Sequence, residues 1–122
     1  MKKTYKPNQD TKPILNMYEQ RWLVSEKKVP MTYKNLDVML KTVKEARRSL
    51  RTLELGAIST NGRELRTMLI GNCDSFEKDI EKIKKNHLST RENIHHQYHS
   101  LTAGFLTSFQ LFIDFYKEYV KR

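Results

Sequence analysis

The chain of 122 residues, 38% of them hydrophobic, can bury one core and is too short for two independent domains. Its net charge of +9, from 23 Lys and Arg against 14 Asp and Glu, favours polyanionic partners, nucleic acid before a membrane surface. The single cysteine, Cys73, excludes an internal disulfide and a multi-cysteine zinc site, and indicates a reducing, intracellular setting. The sequence contains neither a run of 18 apolar residues nor a signal-peptide core, so we expect a cytoplasmic protein without membrane contact.

The N-terminal residues 1–12 are basic and nearly devoid of apolar side chains, which predicts a flexible basic arm. We expect residues 13–122 to form a single domain. Its first helix is predicted over Pro13–Lys27, because Pro13 suits a first helical turn and the residue before Pro30 is displaced from helical geometry. The residues expected to face inward recur at helical spacing: Ile14 or Leu15, Tyr18, Trp22 and Val24.

The second predicted helix has the most regular periodicity in the chain. Thr32 is a suitable N-cap, and Gly56 suits the left-handed conformation that follows many helices. Between them, apolar residues recur at alternating gaps of three and four, which is the a/d pattern of a helix packed on its neighbours. These residues are Leu36, Met39, Val43, Ala46, Leu50 and Leu53.

Basic residues occupy the outer positions of the same helix. We call them the basic stripe: Lys34, Lys41, Lys44, Arg48 and Arg51, with Asp37 as the one acidic interruption. Cations at such helical spacing can contact successive phosphates, which gives salt-sensitive affinity without sequence choice. The stripe is therefore the candidate nucleic-acid-binding site. The alternative is a solvated outer face, since the stripe contains no aromatic residue for base stacking.

A third helix is predicted from a capping box formed by Asn61 and Glu64. Its inward residues again recur at gaps of three and four: Leu65, Leu69, Cys73, Phe76, Ile80, Ile83 and His87. The position of Cys73 in this set predicts a small buried side chain rather than a nucleophile. Gly71 weakens the helix and indicates either close helix packing or a kink.

The last helix is predicted over residues 89–122, where Ser89 and Glu92 form another capping box. Its main apolar face comprises Ile94, Tyr98, Leu101, Phe105, Phe109, Phe112, Tyr116 and Val120. Further apolar residues make the arc wider than one core needs. We therefore predict self-association, with an oligomer interface formed by Leu111, Phe112, Phe115 and Tyr119.

Four amphipathic segments joined by short links, without the alternating pattern of strands, predict an all-α fold. The expected architecture is an antiparallel up-and-down four-helix bundle with a basic N-terminal arm. No glycine-rich phosphate loop, nucleophile elbow or paired-carboxylate signature occurs, so no cofactor is expected. Glu92, His95 and His99 share a helix face, but the sequence has no second Glu-x-x-His pair, so no metal site is predicted.

The segment from Arg91 to Tyr98 resembles the motif of the HEPN ribonuclease toxins: arginine, four residues, histidine, one residue, tyrosine. The resemblance implies metal-independent RNA cleavage across a dimer interface. Arg91 would stabilise phosphate charge, His96 would be the general acid or base, and Tyr98 would complete the motif. Glu92 stands where that family usually has asparagine or another small polar residue.

The order of elements over most of the chain resembles another family, the small basic four-helix bundles that include ribosomal intervening-sequence proteins and retroelement accessory variability proteins. The shared features are a short first helix, a long basic second helix, a third helix, and Leu88-Ser89-Thr90 opening the last. The resemblance implies a ring-forming bundle that binds RNA and a reverse transcriptase. Its contact candidates are Lys34, Lys41, Arg48 and Arg51. The terminal glycine-tryptophan signature of that family is absent.

We therefore predict a non-enzymatic accessory protein that self-associates and binds nucleic acid, RNA more than DNA, with a reverse transcriptase as a candidate partner enzyme. The first alternative is the metal-independent ribonuclease. The second is a helical protein-interaction adaptor whose positive charge is incidental to its function.

Overall fold

The computed structural model describes residues 10–20, 32–85 and 91–122, with the backbone alone described for residues 91–96. These residues form four helices and no strand. The helices are α1 (Lys12–Tyr18), α2 (Tyr33–Thr52), α3 (Thr60–Lys85) and α4 (Arg91–Lys121).

Consecutive helices pack side by side around one core. α2 packs on α3, α3 packs on α4, and α1 packs on α2 and borders α4, so that α2 and α4 lie diagonally across the core. The direction alternates: Asp37 near the start of α2 pairs with Lys84 near the end of α3, and Arg47 further along α2 pairs with Asp74. The predicted all-α antiparallel four-helix bundle is confirmed.

Helix α1 is shorter than predicted. It begins at Lys12 with Pro13 in its first turn, and it ends at Tyr18, where the Gln20 amide donates to the Met17 carbonyl at 2.8 Å. This bond satisfies a carbonyl that a continuing helix would have used. The carbonyl of Asp10 accepts a hydrogen bond from Ser49, so residues 10–12 belong to the folded part rather than to the arm. Residues 1–9 and 21–31, which include Trp22, Val24 and Lys27, lie outside the described residues.

Helix α2 matches its prediction at the start and along its core face. The Thr32 hydroxyl accepts the N–H of Asn35 at 3.2 Å, which confirms the N-cap, and all six predicted inward residues are buried. The helix ends at Thr52. Gly56 has the expected left-handed conformation, with φ of +54°. It lies in a turn after the helix, however, in which the Ile58 N–H donates to the Leu55 carbonyl.

Helix α3 begins two residues earlier than its predicted cap implies. The Ser59 hydroxyl accepts the N–H of Gly62 at 3.0 Å, so Ser59 is the capping residue and the assignment of Asn61 is wrong. The predicted inward residues from Leu65 to Ile83 are all buried, whereas His87 lies outside the described residues. Gly71 is exposed, and a Cβ there would meet nothing within 4 Å. Close packing therefore does not explain it.

Six residues of α4 face the core at gaps of four and three, and we call them the inner seam: Leu101, Phe105, Ser108, Phe112, Phe115 and Tyr119. Ser108 is 2% exposed, and its hydroxyl forms a 2.6 Å hydrogen bond with the Tyr18 hydroxyl. This seam is rotated from the predicted face, on which Phe109 and Tyr116 prove half-buried and Val120 43% exposed. The polar Ser108 interrupts the apolar pattern, which made the neighbouring Phe109 look like the core residue.

The inner seam also corrects the predicted oligomer interface. Phe115 and Tyr119 have no exposed surface and Phe112 is 5% exposed, so these three side chains pack inside one chain. Leu111 is half-buried and packs against the same core. Because the core already covers Phe112, Phe115 and Tyr119, these three residues offer little or no surface to a second copy, whereas the half-buried Leu111 keeps some.

Candidate nucleic-acid interface

The basic stripe lies on the side of α2 that faces away from the core. At 100° per residue its five members span an arc of about 100°, centred about 150° from the buried residues of the same helix. All five side chains are exposed. At 1.5 Å per residue the stripe extends about 26 Å from Lys34 to Arg51, long enough to lie beside several phosphates of one strand.

Most of the charge in the stripe is not neutralised by the carboxylates that the structure describes. Among the described residues, no carboxylate lies within 4 Å of Lys34, Lys41, Arg48 or Arg51. Lys44 is the exception, since its Nζ lies 3.8 Å from Oε1 of Glu77 on α3. Exposed cations without a protein partner are those that gain most from contact with a phosphate.

The one acidic residue within the stripe is paired across the bundle. The Asp37 carboxylate accepts a hydrogen bond from Nζ of Lys84 on α3. Lys84 therefore neutralises Asp37 and brings a further amino group to the N-terminal end of the stripe. The sequence could not place Lys84 there, because the residues are 47 positions apart and only the antiparallel packing of α2 and α3 joins them.

Arg47 is a basic residue of α2 that takes no part in the stripe. Its guanidinium donates to Asp74 at 2.7 Å and to both carboxylate oxygens of Glu77 at 3.1 Å. Hydrogen bonding to Arg47 lowers the pKa of Glu77, and the two carboxylates raise the pKa of the arginine. The guanidinium of Arg47 therefore links α2 to α3, and its hydrogen bonds stabilise the packing of these two helices.

An aromatic residue stands at the N-terminal end of the stripe. Tyr33 precedes Lys34 and is 51% exposed. Its helical angle falls at the edge of the arc that the basic residues cover. Exposed aromatic rings beside cations are platforms on which unpaired bases stack. The repeating pattern of basic positions does not include this residue at the start of the helix, so the pattern does not reveal it.

The residues of the ribonuclease alternative are only partly described. Helix α4 begins at Arg91, but the side chains of Arg91 and His96 lie outside the described residues. Tyr98 is half-buried, packs against the core and contacts the ring of His99 at 6.0 Å between centroids. The ribonuclease stays a prediction.

Cys73 is confirmed as a buried core residue. It has no exposed surface, and its Sγ lies 3.9 Å from Sδ of Met17 on α1. Burial raises the pKa of the Cys73 thiol to about 12, so the group is protonated at neutral pH. A neutral, enclosed thiol does not act as a nucleophile.

Comparisons with models of protein families, with curated proteins and with solved structures found no match to this chain. The resemblances drawn from the sequence motifs therefore stay predictions. Within the described ranges, no helix is both long enough and apolar enough to cross a membrane.

Proposed function

We propose that the protein is a non-enzymatic accessory protein that binds nucleic acid, RNA more than DNA, through the basic stripe and works in a self-associated form. The observation that supports this proposal is the row of exposed cations on α2 that have no carboxylate partner among the described residues. Phosphate contacts of this kind position a polyanion without choosing its sequence.

Tyr33 supports a single-stranded ligand over a duplex. An exposed tyrosine next to Lys34 can stack on an unpaired base while the lysine contacts the adjoining phosphate. Bases in a regular duplex are not open to such stacking. We therefore expect Tyr33→Ala to weaken binding to a single-stranded RNA oligonucleotide several-fold and to leave binding to duplex DNA unchanged, as measured by fluorescence anisotropy.

Salt dependence tests the phosphate contacts directly. With about four phosphates neutralised on a single strand, affinity should fall about 50-fold between ~50 mM and ~200 mM salt. The assay is anisotropy of a labelled RNA oligonucleotide at several salt concentrations. An affinity that does not change with salt contradicts the proposal and favours the protein-interaction adaptor.

A charge-reversal pair locates the contacts on the molecule. Lys41→Glu with Arg48→Glu should reduce RNA affinity about tenfold or more, because both cations are exposed and unpaired with carboxylates among the described residues. The matched control is Lys78→Glu with Lys85→Glu, two exposed lysines on the outer face of α3. The control changes the net charge equally. If both pairs weaken binding equally, the overall charge and not the stripe governs affinity.

A further inference from the structure

α4 carries a second apolar line beside the inner seam, and we call it the outer seam: Leu106, Phe109, Ile113, Tyr116 and Val120. These residues recur at gaps of three, four, three and four, which is the a/d pattern of a coiled coil. The middle three side chains are half-buried, whereas Leu106 and Val120 at the two ends are 67% and 43% exposed. The fold therefore leaves a complete two-heptad seam only partly covered.

The middle of the outer seam forms one wall of an apolar groove. The groove has a volume of about 390 Å³. Its walls are mainly apolar, with Leu15 of α1 facing Phe109, Ile113 and Tyr116 of α4, and Thr11 and Lys117 are polar members of its lining. A cleft with apolar walls between two helices accepts a third helix that presents apolar residues at the same spacing.

We propose that α4 of a second copy of this chain occupies the groove, so that two copies pair through their outer seams about a two-fold axis parallel to α4. The inference rests on the self-association included in the proposed function and assigns its surface. In this arrangement each outer-seam residue meets its own equivalent, as in a parallel two-stranded coiled coil. A surface that repeats a heptad spacing is complementary to a copy of itself.

The position of α1 decides the direction of pairing. Tyr18 at the end of α1 lies 5.3 Å from Phe109 and 5.5 Å from Phe112 between ring centroids, so α1 sits on one flank near the middle of the outer seam. Antiparallel pairing would bring both copies of α1 to the same side at the same level. Parallel pairing places them on opposite sides, where each forms the far wall of the groove that holds its partner.

Charge is compatible with this pairing. The outer seam contains no charged residue, and Lys117 beside it would lie on opposite sides of the pair in the two copies. The basic stripe lies on α2, diagonally across the core from α4, and faces outward. The basic stripe of each copy therefore points away from the other copy.

The size of the seam sets the expected strength of the dimer. From Leu106 to Val120 the helix is about 21 Å long, so the buried surface is at the small end of specific interfaces. We expect a dimer that dissociates on dilution. Sedimentation velocity over a concentration series should show the mass of two chains at high concentration and of one chain at low concentration.

Substitution of an exposed seam residue tests the surface. Leu106→Glu would place two carboxylates against each other and should leave a single-chain mass at concentrations where the wild type is a dimer, with an unchanged helical circular dichroism spectrum. The matched control is Thr107→Glu, the next residue, which is exposed on another flank of α4 and should dimerise as the wild type does. A wild-type chain that stays single at every concentration overturns the proposal and leaves the groove to a different partner. Dimerisation of Leu106→Glu equal to that of the wild type overturns it as well.

Cysteine cross-linking tests the direction. Under mild oxidation Leu106→Cys should form a disulfide-linked dimer, because parallel pairing brings the two positions together, whereas antiparallel pairing separates them. The control is Thr107→Cys, and the wild type shows whether the buried Cys73 reacts. Equal cross-linking of the two variants, or none in Leu106→Cys, overturns the parallel pairing.

Ionic strength separates this inference from the proposed RNA binding. Salt screens the repulsion between two chains of charge +9 and should strengthen the dimer, whereas it weakens phosphate contacts. At concentrations where the chain is single, Leu106→Glu should bind RNA with wild-type affinity. Loss of RNA binding in this variant under those conditions contradicts the assignment of separate surfaces, while loss of dimerisation alone leaves the RNA proposal intact.

Discussion

The hydroxyl pair formed by Tyr18 and Ser108 fixes α1 on α4. Both groups are buried, so each is the hydrogen-bond partner that the other would otherwise find in water. Burial also raises the pKa of Tyr18, which therefore stays neutral and able to donate. A seam of apolar residues alone would permit α1 to slide, whereas a single polar pair defines one position along the helix.

We expect Tyr18→Phe and Ser108→Ala each to lower the free energy of unfolding by about 1–3 kcal/mol, because each leaves one buried hydroxyl unsatisfied. The double variant should lose less than the sum of the two, since it leaves no orphaned group. Urea unfolding followed by circular dichroism gives the four values of the cycle. Additive losses would contradict a direct coupling between these side chains.

Two glycines of α3 have opposite surroundings. A Cβ at Gly62 would lie 2.7 Å from the Ile58 side chain and 3.1 Å from Cβ of Glu118, whereas Gly71 has open space around it. Gly71→Ala should raise the free energy of unfolding by up to about 1 kcal/mol, the usual helix preference for alanine. Gly62→Ala should lower it, because Ile58 or the end of α4 must shift. Thermal unfolding of both variants measures these changes. If Gly62→Ala also stabilises the chain, a methyl group at Gly62 fits without displacing Ile58 or the end of α4.

The α2–α3 contact depends on a charged cluster in which Arg47 joins Asp74 and Glu77. Because the folded state lowers the pKa of Glu77, the carboxylate contributes stability that is fully present above its unfolded pKa of about 4.3. That contribution is lost as the pH falls through the lower folded value. Acidification should therefore loosen this contact before it affects the apolar seams.

Glu77→Gln should lower the free energy of unfolding by roughly 1 kcal/mol at pH 7, and this deficit should shrink as the pH is lowered from 7 through the depressed pKa of Glu77 and the wild-type carboxylate becomes protonated. The measurement is urea unfolding across this pH range. Glu81→Gln, an exposed position on the same helix, is the control and should change stability little at any pH in this range. A deficit in Glu77→Gln that persists undiminished at low pH would indicate a packing defect instead of a lost charge interaction.

The extent to which each element could be predicted follows from how local its determinants are. The cap at Thr32 and the core residues of α2 and α3 depend on spacing within a few residues, and the sequence predicts them. The end of α1 at Tyr18 depends on a side-chain cap from Gln20 that competes with continued helix, and no periodicity reveals it. The face of α4 that is buried depends on Ser108, whose partner Tyr18 is 90 residues away.

The candidate binding surface divides in the same way. Outward-facing cations could be read from the helical period of α2, and all five are exposed. Which of them are neutralised depends on carboxylates of α3. The pairing of Lys44 and of Arg47 with Glu77 could therefore not be predicted from the spacing of residues within α2. The inner and outer seams of α4 likewise differ only in burial, which the sequence does not give.

Within the described part of the chain, the basic stripe and the outer seam lie on diagonally opposite helices, α2 and α4. A ligand that binds only the folded chain stabilises it by mass action. At about 100 times the dissociation constant, single-stranded RNA should add about 2.7 kcal/mol to the free energy of unfolding and raise the melting temperature by several degrees.

Lys41→Glu with Arg48→Glu should abolish this shift, and Leu106→Glu should retain it at concentrations where the chain is single. Differential scanning calorimetry with and without RNA measures both. A shift of equal size in the charge-reversal pair would mean that RNA stabilises the chain through a surface other than the basic stripe.

The enclosure of Cys73 makes it a chemical reporter of the intact bundle. The thiol lies on α3 against Met17 of α1, and its raised pKa leaves almost no thiolate to react. A thiol reagent can therefore label the chain only when the core around Cys73 has opened and water has reached the sulfur. The labelling rate at neutral pH, without denaturant, would report how often the core opens and give the free energy of that opening.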